Sequence, residues 1–401
     1  MTKREVVFLR ASLGIGGGER WAIDAARALA QGGWRVRRVV VEADARAFPD
    51  LNDGLEPAET PYAPGPILSD RLRSLRSIVR MRRLARAWAA TGARPEAIIL
   101  DGLPQVVPLL RRLWPEATVL MYCHFPDGLI ARGGGGWVRR LYRRWLDEGE
   151  ARGLMACDGV AVNSTFTAGA VRTFSNGRVE PVVIYPGVRW PGEAPAWPEV
   201  EATRGLRVIT VGRFDPDKRL DFALGAWATA AARVGAEKFA GWRLTIAGGC
   251  DMRRPASRGV RAELERRIAE ASWGRTVRLR PEPSAEVLEQ EFAGAHGLLH
   301  PMPGEHFGIV PVEAMARGRP VLAVQGAGPN ETVVDGVTGA LRPMSAEAFA
   351  EVLAEWAERP ERLRALGAAA RERAAEFSVE KFAARWVAWV NAAVEKRAGA
   401  G

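Results

Sequence analysis

Pro303-Gly304-Glu305-His306-Phe307-Gly308-Ile309-Val310-Pro311-Val312-Glu313-Ala314-Met315-Ala316 is the stretch on which the reading of this chain turns. Two acids, Glu305 and Glu313, stand in it with seven residues between them. Pro311 fits a helix only in the first turn, where its missing N–H is no loss, so a helix is predicted to begin just before it. Gly318 and Pro320 end that helix. Glu305 then lies in the loop before the helix and Glu313 near its start. Free backbone N–H groups at a helix start suit a phosphate, and carboxylates suit sugar hydroxyls. A nucleotide sugar carries both.

Working outward, short apolar runs alternate with longer helical patterns, the βαβ signature of a parallel sheet covered on both faces. Predicted strands are Val6–Leu9, Val36–Val41, Ala97–Leu100, Val119–Tyr122, Gly159–Val162 and Val182–Ile184 in one half. Val208–Val211, Leu244–Ala247, Val277–Leu279, Gly297–His300 and Val321–Val324 make the other. Between the halves, Arg189 to Pro198 contains three prolines and reads as a linker. The expected organisation is an N-terminal domain over 1–188, a linker over 189–204 and a C-terminal domain over 205–377. A helix with a tail over 378–401 would pack back on the first domain. Both domains are expected to be doubly wound and Rossmann-like, facing each other across a cleft, with ligands at the carboxyl ends of the strands.

With 401 residues, 47% of them apolar and 26% charged, the chain is a folded protein of more than one core. A net charge of +10 favours anionic partners such as nucleotide phosphates or lipid headgroups. The three cysteines are scattered and form no CxxC pair, which argues against a disulfide framework or a zinc site. No secretory leader and no membrane-spanning run are expected.

Four further stretches carry chemistry. Leu13-Gly14-Ile15-Gly16-Gly17-Gly18-Glu19-Arg20 joins the first strand to a helix, and its glycines allow a ligand close to the backbone. Met121-Tyr122-Cys123-His124-Phe125-Pro126-Asp127 places His124 at a strand's carboxyl end, with Asp127 and Arg132 following on a glycine-rich loop. Val211-Gly212-Arg213-Phe214-Asp215-Pro216-Asp217-Lys218 brings a guanidinium and an ammonium to the next such end, where they can clamp a diphosphate. Its D-x-D pattern reads either as a helix cap or as a magnesium site, and capping by Asp215 ahead of Pro216 is favoured. Gly326-Ala327-Gly328-Pro329-Asn330 supplies a second turn near the Glu305 loop. Two basic amphipathic helices, over Leu68–Trp88 and Arg132–Trp145, are read either as core-packed helices with a solvated face or as contacts to an anionic membrane.

Together, these residues resemble retaining glycosyltransferases of the GT-B fold. Glu305 to Glu313 is similar to their E-x7-E element, and Arg213 with Lys218 to their diphosphate clamp. Within that group the chain resembles the α-1,3/1,6-mannosyltransferases of dolichol-linked oligosaccharide assembly. Gly14 to Arg20, Tyr122 to Asp127, Val162 to Ala168, Tyr185-Pro186 and Glu305 to Met315 carry the likeness. The resemblance implies GDP-mannose as donor and a mannosyl-chitobiosyl diphosphodolichol acceptor. It also implies an α-1,3 then an α-1,6 transfer, on the cytosolic face of the endoplasmic reticulum. Peripheral attachment would rest on the basic helices.

The resemblance also implies roles. His124, Arg213, Lys218 and Glu305 would be catalytic. Gly212, His306, Phe307, Gly308, Ile309 and Glu313 would join Arg213, Lys218 and Glu305 around the donor, with Glu313 on the ribose. Gly16, Gly17, Asp127 and Arg132 would meet the acceptor. Sequence offers no nucleophile-plus-acid carboxylate pair, which favours front-face substitution with retention. The basic pair would take the place of a metal. Alternatives are a related GT-B transferase with another donor such as a UDP-sugar, a non-hydrolysing sugar-nucleotide epimerase, and a basic module binding RNA or membranes. No nucleic-acid partner is expected.

Overall fold

The computed structural model describes residues 4–13, 17–43, 54–61, 73–130, 136–198 and 205–399. The chain divides into two compact units, Met1–Gly187 with Val379–Gly401, and Val188–Ser378. The first runs β1 (Glu5–Leu13), α1 (Gly17–Gln31), β2 (Arg35–Ala43), α2 (Arg73–Ala89), β3 (Ala97–Asp101) and α3 (Val107–Leu113). It continues through β4 (Thr118–Cys123), α4 (Asp127–Ile130), α5 (Trp137–Met155), β5 (Gly159–Val162), α6 (Thr165–Phe174) and β6 (Val182–Val183). The six strands are parallel in the order β2-β1-β3-β4-β5-β6.

The second unit runs β7 (Arg207–Val211), α7 (Leu220–Val234), α8 (Ala236–Phe239), β8 (Arg243–Gly248), α9 (Pro255–Glu270), β9 (Val277–Pro281) and α10 (Ala285–Ala293). Then come β10 (Gly297–His300), α11 (Ile309–Ala316), β11 (Val321–Val324), α12 (Pro329–Thr332), β12 (Gly339–Arg342), α13 (Ala346–Glu358) and α14 (Pro360–Ala374). Its strands are also parallel, in the order β12-β11-β10-β7-β8-β9. The chain then returns to the first unit as α15 (Val379–Ala398).

Strand alternation builds the first core. Val7 and Leu9 of β1 point to one face, against Ile78, Met81, Leu84 and Trp88 of α2. Val6 and Phe8 point to the other, against α1 and against Phe382, Trp386 and Val390 of α15. Both faces being covered, the central strands β3 and β4 read as continuous apolar runs. In the second unit Trp227 of α7 is fully buried and donates to the Thr276 hydroxyl at 2.9 Å. Most buried polar groups in folded proteins are partnered in this way.

The segment before β7 is fixed to the second unit. The buried Arg319 guanidinium donates to the carbonyls of Ala196, Phe292 and Ala293 and stacks over Trp197. His296 accepts from the Arg207 N–H at Nδ1 and meets the Pro198 carbonyl through Nε2 at 3.0 Å. Burial pushes its pKa down to about 4, despite that second bond.

Three expectations change. Gly339–Arg342 forms an edge strand, β12, that four residues behind a glycine turn do not announce. Asp215 does stand at the N-cap of the 3-10 turn Pro216–Lys218, but its side chain makes no cap bond. It faces Arg213, Arg254 and Ser257 instead, because a buried carboxylate gains more from two guanidinium groups than from one backbone N–H. The Leu68–Trp88 pattern splits: residues 62–72 lie outside the described residues, and α2 packs its apolar face into the core.

Candidate active site

In an open parallel sheet, ligands gather where neighbouring strands send their connections to opposite faces. In the second unit that point lies between β7 and β10. The loop after β7 carries Gly212, Arg213 and Lys218, and the loop after β10 carries Met302, Glu305 and His306. The two loops meet: Lys218 Nζ lies 3.1 Å from Glu305 Oε2 and 2.9 Å from Met302 Sδ. Behind the carboxylate, the buried His300 places Nε2 3.6 Å from the same oxygen. Burial by itself would raise the Glu305 pKa. The His300 ring and the Lys218 charge outweigh it and hold the carboxyl well below the usual range. Glu305 is therefore an ionised acceptor in a mostly enclosed site.

The backbone around it is shaped by glycine. Gly308, with φ of 90°, caps the N-terminus of α11, where a Cβ would come 3.1 Å from Pro311. Gly328 donates to the Glu305 carbonyl at 2.7 Å and lies flat on Phe307, so the second turn is stapled to the first. Phe307 is buried and meets Phe377 edge-on, while Ile309 and Glu313 are half-buried on α11. Arg213 is largely exposed, with Nε 3.4 Å from Asp215. Arg254 and Ser257 already occupy both Asp215 oxygens.

In the first unit the corresponding point lies between β1 and β3, and β4 follows. Here the structure adds residues that sequence does not single out. Asp101, ending β3 and almost fully buried, has Oδ1 2.9 Å from His124 Nε2 and Oδ2 2.5 Å from Arg10 Nη1. Arg10 also donates to the Gly18 carbonyl in the first turn of α1, at 2.9 Å. Burial would raise the Asp101 pKa, yet Arg10 and His124 hold it below the ordinary carboxylate value. His124 stands edge-on to Trp21 and Tyr122, beside Gly18. The ring thus sits among the end of β3, its own strand β4 and the start of α1. Three buried or half-buried groups joined across such distances in sequence leave no local pattern, which is why reading the chain linearly misses Asp101 and Arg10.

Asp127 opens α4 rather than a glycine loop. It pairs with Arg143 of α5 at 3.2 Å, and the backbone N–H groups of Asp127 and Gly128 donate to the buried Glu150. Gly17 opens α1. Gly16 and Arg132 lie outside the described residues. Among the described residues no group of three or more metal-binding side chains occurs.

Comparisons with known proteins meet this geometry. Residues 15–189 match the family model "Glycosyltransferase Family 4" and residues 196–373 match "Glycosyl transferases group 1". The alpha-1,3/1,6-mannosyltransferase alg-2 of Neurospora crassa is 33% identical over 381 residues, 85% of this chain and 79% of the relative. This chain belongs to the alpha-1,3/1,6-mannosyltransferases. The mouse mannosyltransferase is 29% identical over 389 residues, with 94% of both chains covered. Among solved structures, sucrose-phosphate synthase of Thermosynechococcus elongatus superposes with a TM-score of 0.76 at 22% identity, covering 97% of this chain and 98% of that one. Anabaena HepE in complex with UDP gives 0.74 at 17% identity, covering 97% and 100%. These two share the fold, which is GT-B. As a glycosyltransferase, the mannosyltransferase takes a nucleotide-sugar donor and a glycan acceptor.

Proposed function

We propose that this mannosyltransferase is a retaining enzyme using GDP-mannose. It would add α-1,3 and then α-1,6 mannose to a mannosyl-chitobiosyl diphosphodolichol, as a peripheral protein on the cytosolic face of the endoplasmic reticulum. The second unit holds the donor and the first the acceptor. The observation that carries the reading is the Lys218–Glu305 contact at the β7–β10 switch point.

The chemistry follows from the groups present. Glu305, ionised and half-enclosed, accepts hydrogen bonds from hydroxyls of the transferred sugar. Lys218 and Arg213 lie where the donor's diphosphate departs and stabilise the charge that grows there. A lysine poised on Glu305 in the free protein moves little to reach that diphosphate. The N–H groups of Gly308 and Ile309, with Gly212 and the His306–Phe307 turn, line the donor, and Glu313 takes the ribose. His124, held by Asp101, contacts the sugar near its reacting face. Gly16, Gly17, Asp127 and Arg132 meet the acceptor. The leaving phosphate oxygen takes the acceptor hydroxyl proton as the new bond forms on the same face. Two cations at the diphosphate do the work a divalent metal does in other transferases.

The test is a transfer assay with labelled GDP-mannose or UDP-sugars and a mannosyl-chitobiosyl diphosphate bearing a phytanyl-type tail. A product two mannoses heavier from GDP-mannose, cut in order by linkage-specific mannosidases, is the expected result. Transfer from a UDP-sugar alone overturns the donor. Sugar conversion without acceptor points to an epimerase.

A further inference from the structure

The two basic amphipathic helices of the first unit look alike in sequence and differ in the fold. In α2 the apolar set Ile78, Met81, Leu84, Ala85 and Trp88 is buried, so core packing accounts for its pattern. In α5 it accounts for half. Leu146, Glu150, Gly153 and Leu154 are buried, and Gly153 lies against the Pro104 carbonyl so closely that a Cβ would come within 2.0 Å. The apolar side chains of the first nine residues are not: Trp137 is 71% exposed, Leu141 62%, Val138 60% and Trp145 51%.

At about 100° per residue these four side chains fall within one arc of about 100°. Leu146 and Glu150 lie on the far side of the helix, so the arc faces away from the core. Single exposed apolar residues are ordinary, whereas a contiguous patch marks a contact surface. Ile130, at the end of α4 just before this helix, is 59% exposed as well.

The charges indicate what covers the patch. Arg140 and Arg144 flank the arc, with Arg139 behind. Arg143 and Arg144 are engaged by Asp127, Asp147 and Glu148. Arg139 and Arg140 have no ion pair among the described residues. Tryptophan at both ends of an apolar arc, with the uncompensated Arg140 beside it, fits the headgroup layer of an anionic bilayer. A protein partner would favour matching acids, and a second copy of this chain, itself carrying +10, would bring more positive charge.

We infer that the first nine residues of α5, Trp137 to Trp145, dock in the plane of an anionic membrane surface, and that α5, not α2, is the lipid-contacting helix. The inference deepens the membrane reading above and rests on its lipid-linked acceptor only for its purpose. Through Arg143–Asp127 and the Glu150 bonds, α5 is tied to α4, which begins three residues after His124. Docking would therefore bring the end of β4 to the layer in which a lipid diphosphate lies.

The experiment is co-sedimentation of the full chain with phosphatidylcholine vesicles, with and without phosphatidylserine. Wild type is expected to bind the anionic vesicles. Leu141→Glu with Trp145→Glu should weaken binding at least about a hundredfold, since apolar burial drives insertion. Arg139→Gln with Arg140→Gln should weaken it about tenfold to thirtyfold, and only with phosphatidylserine present. Arg82→Glu with Arg86→Glu on α2 should change it little. Circular dichroism melts check that each variant folds. Binding that survives the α5 changes, or falls only with the α2 changes, overturns the inference. So does self-association without vesicle binding. Vesicle binding without mannose transfer leaves docking standing and sinks the acceptor; transfer without vesicle binding does the reverse.

Discussion

At the scale of single residues, the candidate site is two charged clusters, each built around an enclosed carboxylate. On the proposed mechanism, Lys218→Gln removes a cation from the departing diphosphate while leaving a polar side chain beside Glu305. The turnover number should fall about a hundredfold to a thousandfold, with an unchanged melting temperature, in steady-state transfer assays. Asp101→Ala should behave differently. It strips the buried Arg10 of its closest acid, leaving Glu19 at 3.9 Å, and should cost about 3 kcal/mol of stability in urea titrations. The places of Glu305, Arg213, Lys218 and His124 in the loops after strands were legible because each sits in a short local motif. Asp101, Arg10 and His300 were not, since their meaning lies in neighbours on other strands. His296 shows a third case, a histidine wholly concerned with structure. Its folded pKa of about 4 lies below its ordinary 6.5, so its contribution is full above the higher value and is lost as pH falls towards the lower. Glu150, pushed up to about 7 by burial, works oppositely, its cost easing as pH falls. Comparison with His296→Asn, which keeps an acceptor for the Arg207 N–H, isolates the histidine. Wild type should lose about 2 kcal/mol more than the variant between about pH 7.5 and about pH 5.

At the scale of elements, close approach explains most of what the glycines do. Gly328→Ala would put a methyl 2.4 Å from the Phe307 Cα, and neither backbone can yield without opening the Glu305 loop. A loss of about 2 kcal/mol is expected from calorimetry, with a raised donor KM as the stapled turn loosens. Strands were legible wherever an apolar run is buried on both faces: β5, β10 and β11 begin and end where the sequence places them. β12 was not, being a short strand at the sheet edge beside β11. The basic helices show the limit more sharply. Both α2 and α5 set apolar residues at helical spacing among arginines, and packing separates a face that is buried from one that is bare. The Asp-Pro pair after β7 shows it again, since a residue placed to cap a turn was recruited by Arg254 and Ser257 from α9 and its approach.

At the scale of the whole molecule, two doubly wound units were legible from the restart of the strand pattern at Val208 and the proline-rich segment before it. What the pattern could not show is how the second unit claims that segment, through Arg319 and His296. The return of α15 to the first unit has a consequence for how the protein is made. The sheet face that Phe382, Trp386 and Val390 cover is complete in β-strands by Val183, yet its cover is translated only after the entire second unit. At about 5–20 residues per second, the intervening stretch of nearly two hundred residues takes the ribosome roughly 10–40 s. For that interval the nascent chain carries an apolar sheet face covered by α1 but not yet by α15, while the later unit is free to fold first. The early half is then completed last, and until that point it is a natural client for chaperones.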